Sequence, residues 1–148
     1  EVCLVGSEMC IRDRPGKGGC HTRNGTLLNH WSISHTDHGA VAVKSTGPYP
    51  IGVDMEPKSR LVDMGALDQI ATEEVKKQTP YPTNLETWMA IEAVSKATGY
   101  GLSISREISY SRGVWKLRGE SWKVDFEQRL VGGVHHLVSI ARLITEAP

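Results

Sequence analysis

Ile51-Gly52-Val53-Asp54-Met55-Glu56 is an apolar run that alternates into two carboxylates, and it sets the reading of the rest of the chain. The alternation predicts a strand, and period two sends Asp54 and Glu56 to the same face. Two strand residues rise by about 6.6 Å, so both side chains can lean toward one cation between them. Further along, Trp88-Met89-Ala90-Ile91-Glu92-Ala93-Val94-Ser95-Lys96 places Trp88, Glu92 and Lys96 at steps of four, one stripe of a helix. A strand-borne acid pair beside a helix-borne acid and lysine suits magnesium and a polyphosphate, because magnesium takes oxygen ligands from a few carboxylates and from substrate phosphates.

Outward from this pair, the pattern is α+β, with an antiparallel sheet packed on helices. Residues Leu27 to His35 and Gly39 to Lys44 are alternating or β-branched, which predicts two strands. The turn Ser45-Thr46-Gly47-Pro48-Tyr49-Pro50 then delivers the chain to the Asp54 strand as the third strand of a meander. Leu61 to Gln78 turns helical, with Thr72-Glu73-Glu74 capping a second, shorter helix that ends before Pro80. Asn84 is the expected N-cap of the helix that carries Glu92, and Gly99 its stop. Ser103 to Tyr110, Val114 to Leu117, Trp122 to Phe126 and His135 to Leu143 read as antiparallel strands covering the helices.

At 148 residues the chain is long enough for one domain with its own core. Seventeen basic and seventeen acidic residues cancel, so no whole-molecule field draws in nucleic acid or an anionic membrane, and any grip on an anion must be local. No apolar run approaches the ~20 residues of a spanning helix, and no signal-like order opens the chain, so the expected compartment is the cytoplasm. Cys3, Cys10 and Cys20 cannot all pair and lack metal-site spacing. Residues 1–14 are expected not to be native: Leu4 to Arg14 coincides with the in-frame translation of a transposase-type sequencing adapter, and Pro15 to Gly25 then reads as a glycine-rich loop.

In order, Ser32-Ile33-Ser34-His35-Thr36, then Ile51 to Glu56, then Trp88 to Lys96 with Gly99 and Gly101, resemble the 4'-phosphopantetheinyl transferase superfamily. That family shows a Ser-His motif, a Gly-Ile/Val-Asp-x-Glu motif, and Trp-x-x-Lys-Glu-Ala-x-x-Lys. The order is similar to the larger, pseudo-dimeric, surfactin-synthetase-activating type. The resemblance implies residues 15–50 as a remnant of the N-terminal half carrying the Ser-His motif, residues 51–148 as the C-terminal transferase half, and a chain truncated at its N-terminus. Such a fragment is expected to expose apolar sheet surface.

The implied activity is magnesium-dependent transfer of 4'-phosphopantetheine from coenzyme A to a serine of an acyl or peptidyl carrier protein in fatty-acid, polyketide or nonribosomal peptide biosynthesis, releasing adenosine 3',5'-bisphosphate. By the same resemblance Asp54, Glu56 and Glu92 are the magnesium ligands, Glu92 is also the general base, Lys96 contacts a coenzyme A phosphate, and Ser34 with His35 hold the 3'-phosphate. Lys17 matches a Gly-Arg/Lys-Pro loop, except that Gly18 stands where proline is expected. Ile91 replaces the lysine that usually precedes the glutamate, which keeps open a non-catalytic coenzyme A or carrier-protein binding module. Taken alone, Asp54 and Glu56 would be a polar strand edge, Glu92 and Lys96 a surface pair, and Trp88 a core residue. His30 and His35 fall on opposite strand faces, against zinc, and the paired His135-His136 reads as structural.

Overall fold

The computed structural model describes the backbone of residues 2–5 and, in full, residues 30–145. Its element order is β1 (Val2–Val5), β2 (Trp31–Thr36), β3 (Gly39–Lys44), β4 (Ile51–Pro57), α1 (Met64–Ile70), α2 (Glu73–Gln78), α3 (Asn84–Thr98), a 3-10 helix (Gly101–Glu107), β5 (Ser109–Ser111), β6 (Val114–Leu117), β7 (Glu120–Val131) and β8 (Val134–Leu143). The α+β class with antiparallel sheets packed on helices is as the sequence implies. Lys17, Cys10, Cys20 and the Pro15 to Gly25 loop lie outside the described residues.

Five strands form one antiparallel sheet in the order β4-β8-β7-β6-β5, and β1-β3-β2 form a second. The β2–β3–β4 meander is therefore corrected. β2 and β3 pair as a hairpin, but β4 pairs with β8, from Ile51 opposite Arg142 to Pro57 opposite His136. Pro48 and Pro50 lie in the connection, where each lacks the N–H that a continued ladder with β3 needs. What links the sheets instead is side-chain chemistry. The Val53 N–H donates to Ser32 Oγ at 3.0 Å and the Met55 N–H to Ser34 Oγ at 3.0 Å, so two serines of β2 satisfy the amides on the outer edge of β4. Both contacts advance two residues on each strand, so β2 and β4 run in the same direction. β1, inside the segment expected to be adapter-derived, pairs with the far edge of β3.

Alternation along β4 separates two environments. Ile51, Val53 and Met55 join Val41, Val43, Val131, Val138 and Ile140 in a core shared with the hairpin. A larger core lies between α3 and the main sheet, where Ile91, Val94 and Ala97 meet Tyr110, Trp115 and Trp122. Tyr81 stacks on Trp115 with centroids 6.4 Å apart. Of the large apolar side chains exposed among the described residues, only Leu130 lies in a strand, so the exposed apolar sheet face expected of a fragment is not found among them. The hairpin core covers that side of β4. His136, fully buried, ties the hairpin down: its Nδ1 lies 2.8 Å from the Val134 carbonyl and its Nε2 3.0 Å from Thr36 Oγ1. The structural reading of that histidine holds, and its neighbour His135 points to solvent.

The helices start and stop where side chains permit. Asp63 caps α1 by accepting from the Ala66 N–H at 2.7 Å, and Thr72 caps α2 through Val75 N–H. The N-cap of α3 is Thr83 rather than Asn84, because Asn84 turns its amide to the Val62 carbonyl at 3.0 Å. Gly99 ends α3 at φ 75°, as expected of a glycine stop.

The strand expected over Ser103 to Tyr110 is a 3-10 helix followed by the three residues of β5. The positive φ of Gly99 and Gly101 redirects the chain, and Ser103 Oγ donates back to the Tyr100 carbonyl at 3.1 Å. β7 runs past Phe126 to Val131, since the polar Glu127-Gln128-Arg129 stretch still pairs with β8 up to the Gly132-Gly133 turn. Among the described residues no helix is long and apolar enough to cross a membrane.

Candidate functional site

The even-numbered residues of β4, Gly52, Asp54 and Glu56, face α3, and the approach of strand to helix is set at Gly52. A Cβ built there would stand 1.9 Å from the Ala93 carbonyl oxygen and 2.7 Å from the Ala97 nitrogen, so only glycine lets β4 lie against the helix backbone. Ala93 and Ala97 supply the matching small surface on α3. One turn of helix around this contact brings Lys96 to Asp54.

Asp54 is 4% exposed, and its Oδ1 accepts from Lys96 Nζ at 3.0 Å and from Ser34 Oγ at 3.3 Å. Lys96 Nζ also reaches Ser34 Oγ at 3.3 Å. Ser34 thus donates to Asp54 and accepts from Lys96 and from the Met55 amide, which uses its one donor and both lone pairs. The other oxygen of Asp54, Oδ2, is buried with no hydrogen-bond partner among the described residues. A buried carboxylate oxygen without a donor is costly.

Glu92 belongs to the same cluster. Burial raises its pKa from 4.5 to about 7, with the Asp54 charge adding to the rise, Lys96 opposing it, and Glu56 and Arg60 also within electrostatic reach. Glu56 is raised as well, first by burial and then by Asp54. Three carboxylates thus sense one another, which is the arrangement that like-charge crowding and desolvation make unfavourable without a cation.

Two internal cations stand in that space. Lys96 serves Asp54, and Arg60 pairs with Glu56. Arg60 arrives through a tight turn in which its N–H donates to the Pro57 carbonyl at 2.9 Å, and its guanidinium lies 5.5 Å from the Trp88 ring centroid. With these contacts, no group of three His, Cys, Asp or Glu side chains among the described residues is arranged to hold a metal ion as it stands. The donor set nevertheless fits one: the oxygens are hard ligands, Asp54 Oδ2 lacks a donor among the described residues, and the raised carboxyls of Glu56 and Glu92 are the groups a divalent cation would bring down.

Next to the acids opens a cleft of about 380 Å³ lined by His35, Thr36, Asp37, His38, Glu56, Pro57, Ser59 and Arg60. Of the residues singled out from sequence, Ser34, Asp54, Glu56, Glu92 and Lys96 come together, although they derive from β2, β4 and α3. His35 does not join them: it lies on the opposite face of β2 from the buried Ser34 and is exposed at the cleft. Trp88 is half-buried against the main core while one side receives Arg60. Gly52, Ser32 and Arg60 were not assigned roles from sequence. Gly52 could have been found from a glycine inside a strand opposite a helix with Ala93 and Ala97 four apart. Arg60 follows a proline turn and carries no periodic signal.

Comparison with protein-family models and with curated proteins yields no match to this chain.

Proposed function

We propose that this chain is a magnesium-dependent 4'-phosphopantetheinyl transferase, moving phosphopantetheine from coenzyme A to a carrier-protein serine and releasing adenosine 3',5'-bisphosphate. The observation that carries the reading is the meeting of Ser34, Asp54, Glu92 and Lys96 at one place. Residues as much as 62 positions apart converge, although Lys96 rests on Asp54 at 3.0 Å and Ser34 is spent on Asp54, Lys96 and the Met55 amide rather than turned to the phosphates that the resemblance assigns them.

Asp54, Glu56 and Glu92 would hold the ion, and when bound it neutralises charge on the pyrophosphate. The chain's own residues supply the rest. The Asp54–Ser34–Lys96 network fixes the lysine at the edge of the acid cluster, where its side chain is 24% exposed. Glu92 accepts the proton of the incoming serine hydroxyl. That role is the one the resemblance gives Glu92, which lies buried within electrostatic reach of Asp54 and Lys96. His35 and His38 at the cleft offer imidazoles to a phosphate. The nucleophile belongs to the carrier, so this chain needs none.

Ile91 bears on the alternative of a non-catalytic coenzyme A or carrier-binding module. Its side chain is fully buried in the core beneath α3, away from the acids. The substitution therefore leaves the acid cluster itself unaltered. The deciding experiment incubates the chain with magnesium, coenzyme A and an apo carrier protein and weighs the carrier. Transfer is expected with the wild type and absent in Asp54→Ala and Glu92→Ala. Coenzyme A binding with an unmodified carrier would select the module.

A further inference from the structure

We infer that Arg60 is a phosphate-contacting residue that, without ligand, rests on Glu56 and leaves it when coenzyme A and magnesium bind. The inference deepens the transferase reading and rests on it. The two cations of the site are held in different ways. Lys96 is fixed by two buried partners, Asp54 and Ser34. Arg60 is held by one carboxylate, four residues back on the same segment, with 40% of its side chain open to solvent. Water at the arginine end screens such a pair more than it screens the contact of Lys96 with Asp54.

Three features direct the released guanidinium to an anion. Arg60 and Glu56 both line the 380 Å³ cleft that also holds His35 and His38, so the fork already faces the space beside the acids. The Trp88 ring supports the cation from the side and keeps it there after the ion pair opens. Among the described residues the cluster holds three carboxylates against two cations, and a divalent ion would compete with Arg60 for Glu56. A planar guanidinium freed in this way matches phosphate oxygens bidentately, which the ammonium of Lys96 does not.

Arg60 is thus antagonistic to the metal alone and favourable to the metal with nucleotide, and this opposition gives the test. Calorimetric titration of the whole chain compares wild type with Arg60→Gln, first with magnesium chloride alone and then with coenzyme A at saturating magnesium. Arg60→Gln should bind magnesium alone about threefold or more tightly, and coenzyme A about tenfold more weakly, the loss of one charge-assisted contact. A merely structural arginine would move both affinities the same way or neither, and either result overturns the inference. Should Arg60→Gln melt early, Arg60→Lys decides: it keeps the competition for Glu56, so magnesium affinity should hold while coenzyme A still weakens, and undiminished coenzyme A affinity overturns the role. A wild-type chain that binds neither ligand removes the transferase reading itself, and Arg60's part with it.

Discussion

The two faces of β4 are built from alternate residues of one strand and have little else in common. Ile51, Val53 and Met55 are buried among aliphatic side chains of the hairpin and of β8, with no polar group to satisfy. Gly52, Asp54 and Glu56 meet α3 across a glycine contact, crowded carboxylates and an orphan oxygen. One face stabilises the chain, and the other holds groups that are less favourable in the fold than in water. Stability given up on one face and recovered on the other is what a site prepared for a charged ligand requires.

The largest effect on stability should come from the apolar face. Met55→Ala removes a fully buried side chain between the two carboxylates in sequence but on the far side of the strand, and should cost about 2–5 kcal/mol in urea denaturation. Magnesium and coenzyme A affinity of the folded fraction should stay unchanged. Linked loss of binding would show that the faces are not separable.

The acid face should behave in the opposite sense. Between 4.5 and about 7 the folded chain retains a proton on Glu92 that the unfolded chain releases, so this group's contribution makes stability fall as pH rises through that window. Below it, Glu92 is protonated in both states and contributes nothing. Glu92→Gln should therefore flatten the slope and, at pH 8, be more stable than wild type by on the order of 2 kcal/mol. Thermal melts across pH check this, and an unaltered slope would remove the crowding from the account.

Gly52→Ala sharpens the comparison because it disturbs only the contact between strand and helix. The added methyl meets α3 backbone, so β4 or α3 must shift, at about 1–3 kcal/mol. Transfer should drop far more than stability, since the shift parts Lys96 from Asp54. A soluble, stable and fully active Gly52→Ala would contradict the placement of the site. Smallest of all, Arg142→Ala removes an exposed partner of Asp125 on the main sheet and should change stability by no more than about 0.5 kcal/mol and transfer not at all.

Local chemistry made much of this legible in advance. The period-two alternation of β4, the four-residue steps of Trp88, Glu92 and Lys96, the Thr72 cap and the Gly99 stop all depend on residues near one another in sequence, and each appears in the fold. What escaped depends on partners far away. The chain leaves one sheet for another between β3 and β4 because serines of β2 can stand in for a ladder, and no local pattern marks a serine for that use. Glycines at positive φ turned an alternating Ser103 to Tyr110 stretch into a 3-10 helix. Arg60 looked like an ordinary charged loop residue until the turn at Pro57 set it over Trp88 and Glu56.

Whether one divalent ion is shared by Asp54, Glu56 and Glu92 can be read directly by replacing magnesium with manganese, which accepts the same oxygen ligands, and following its electron paramagnetic resonance as coenzyme A is added. The account predicts uptake of a single ion by the wild-type chain and its loss in Asp54→Ala and in Glu92→Ala. Uptake undiminished in both variants, or none by the wild type, would contradict it.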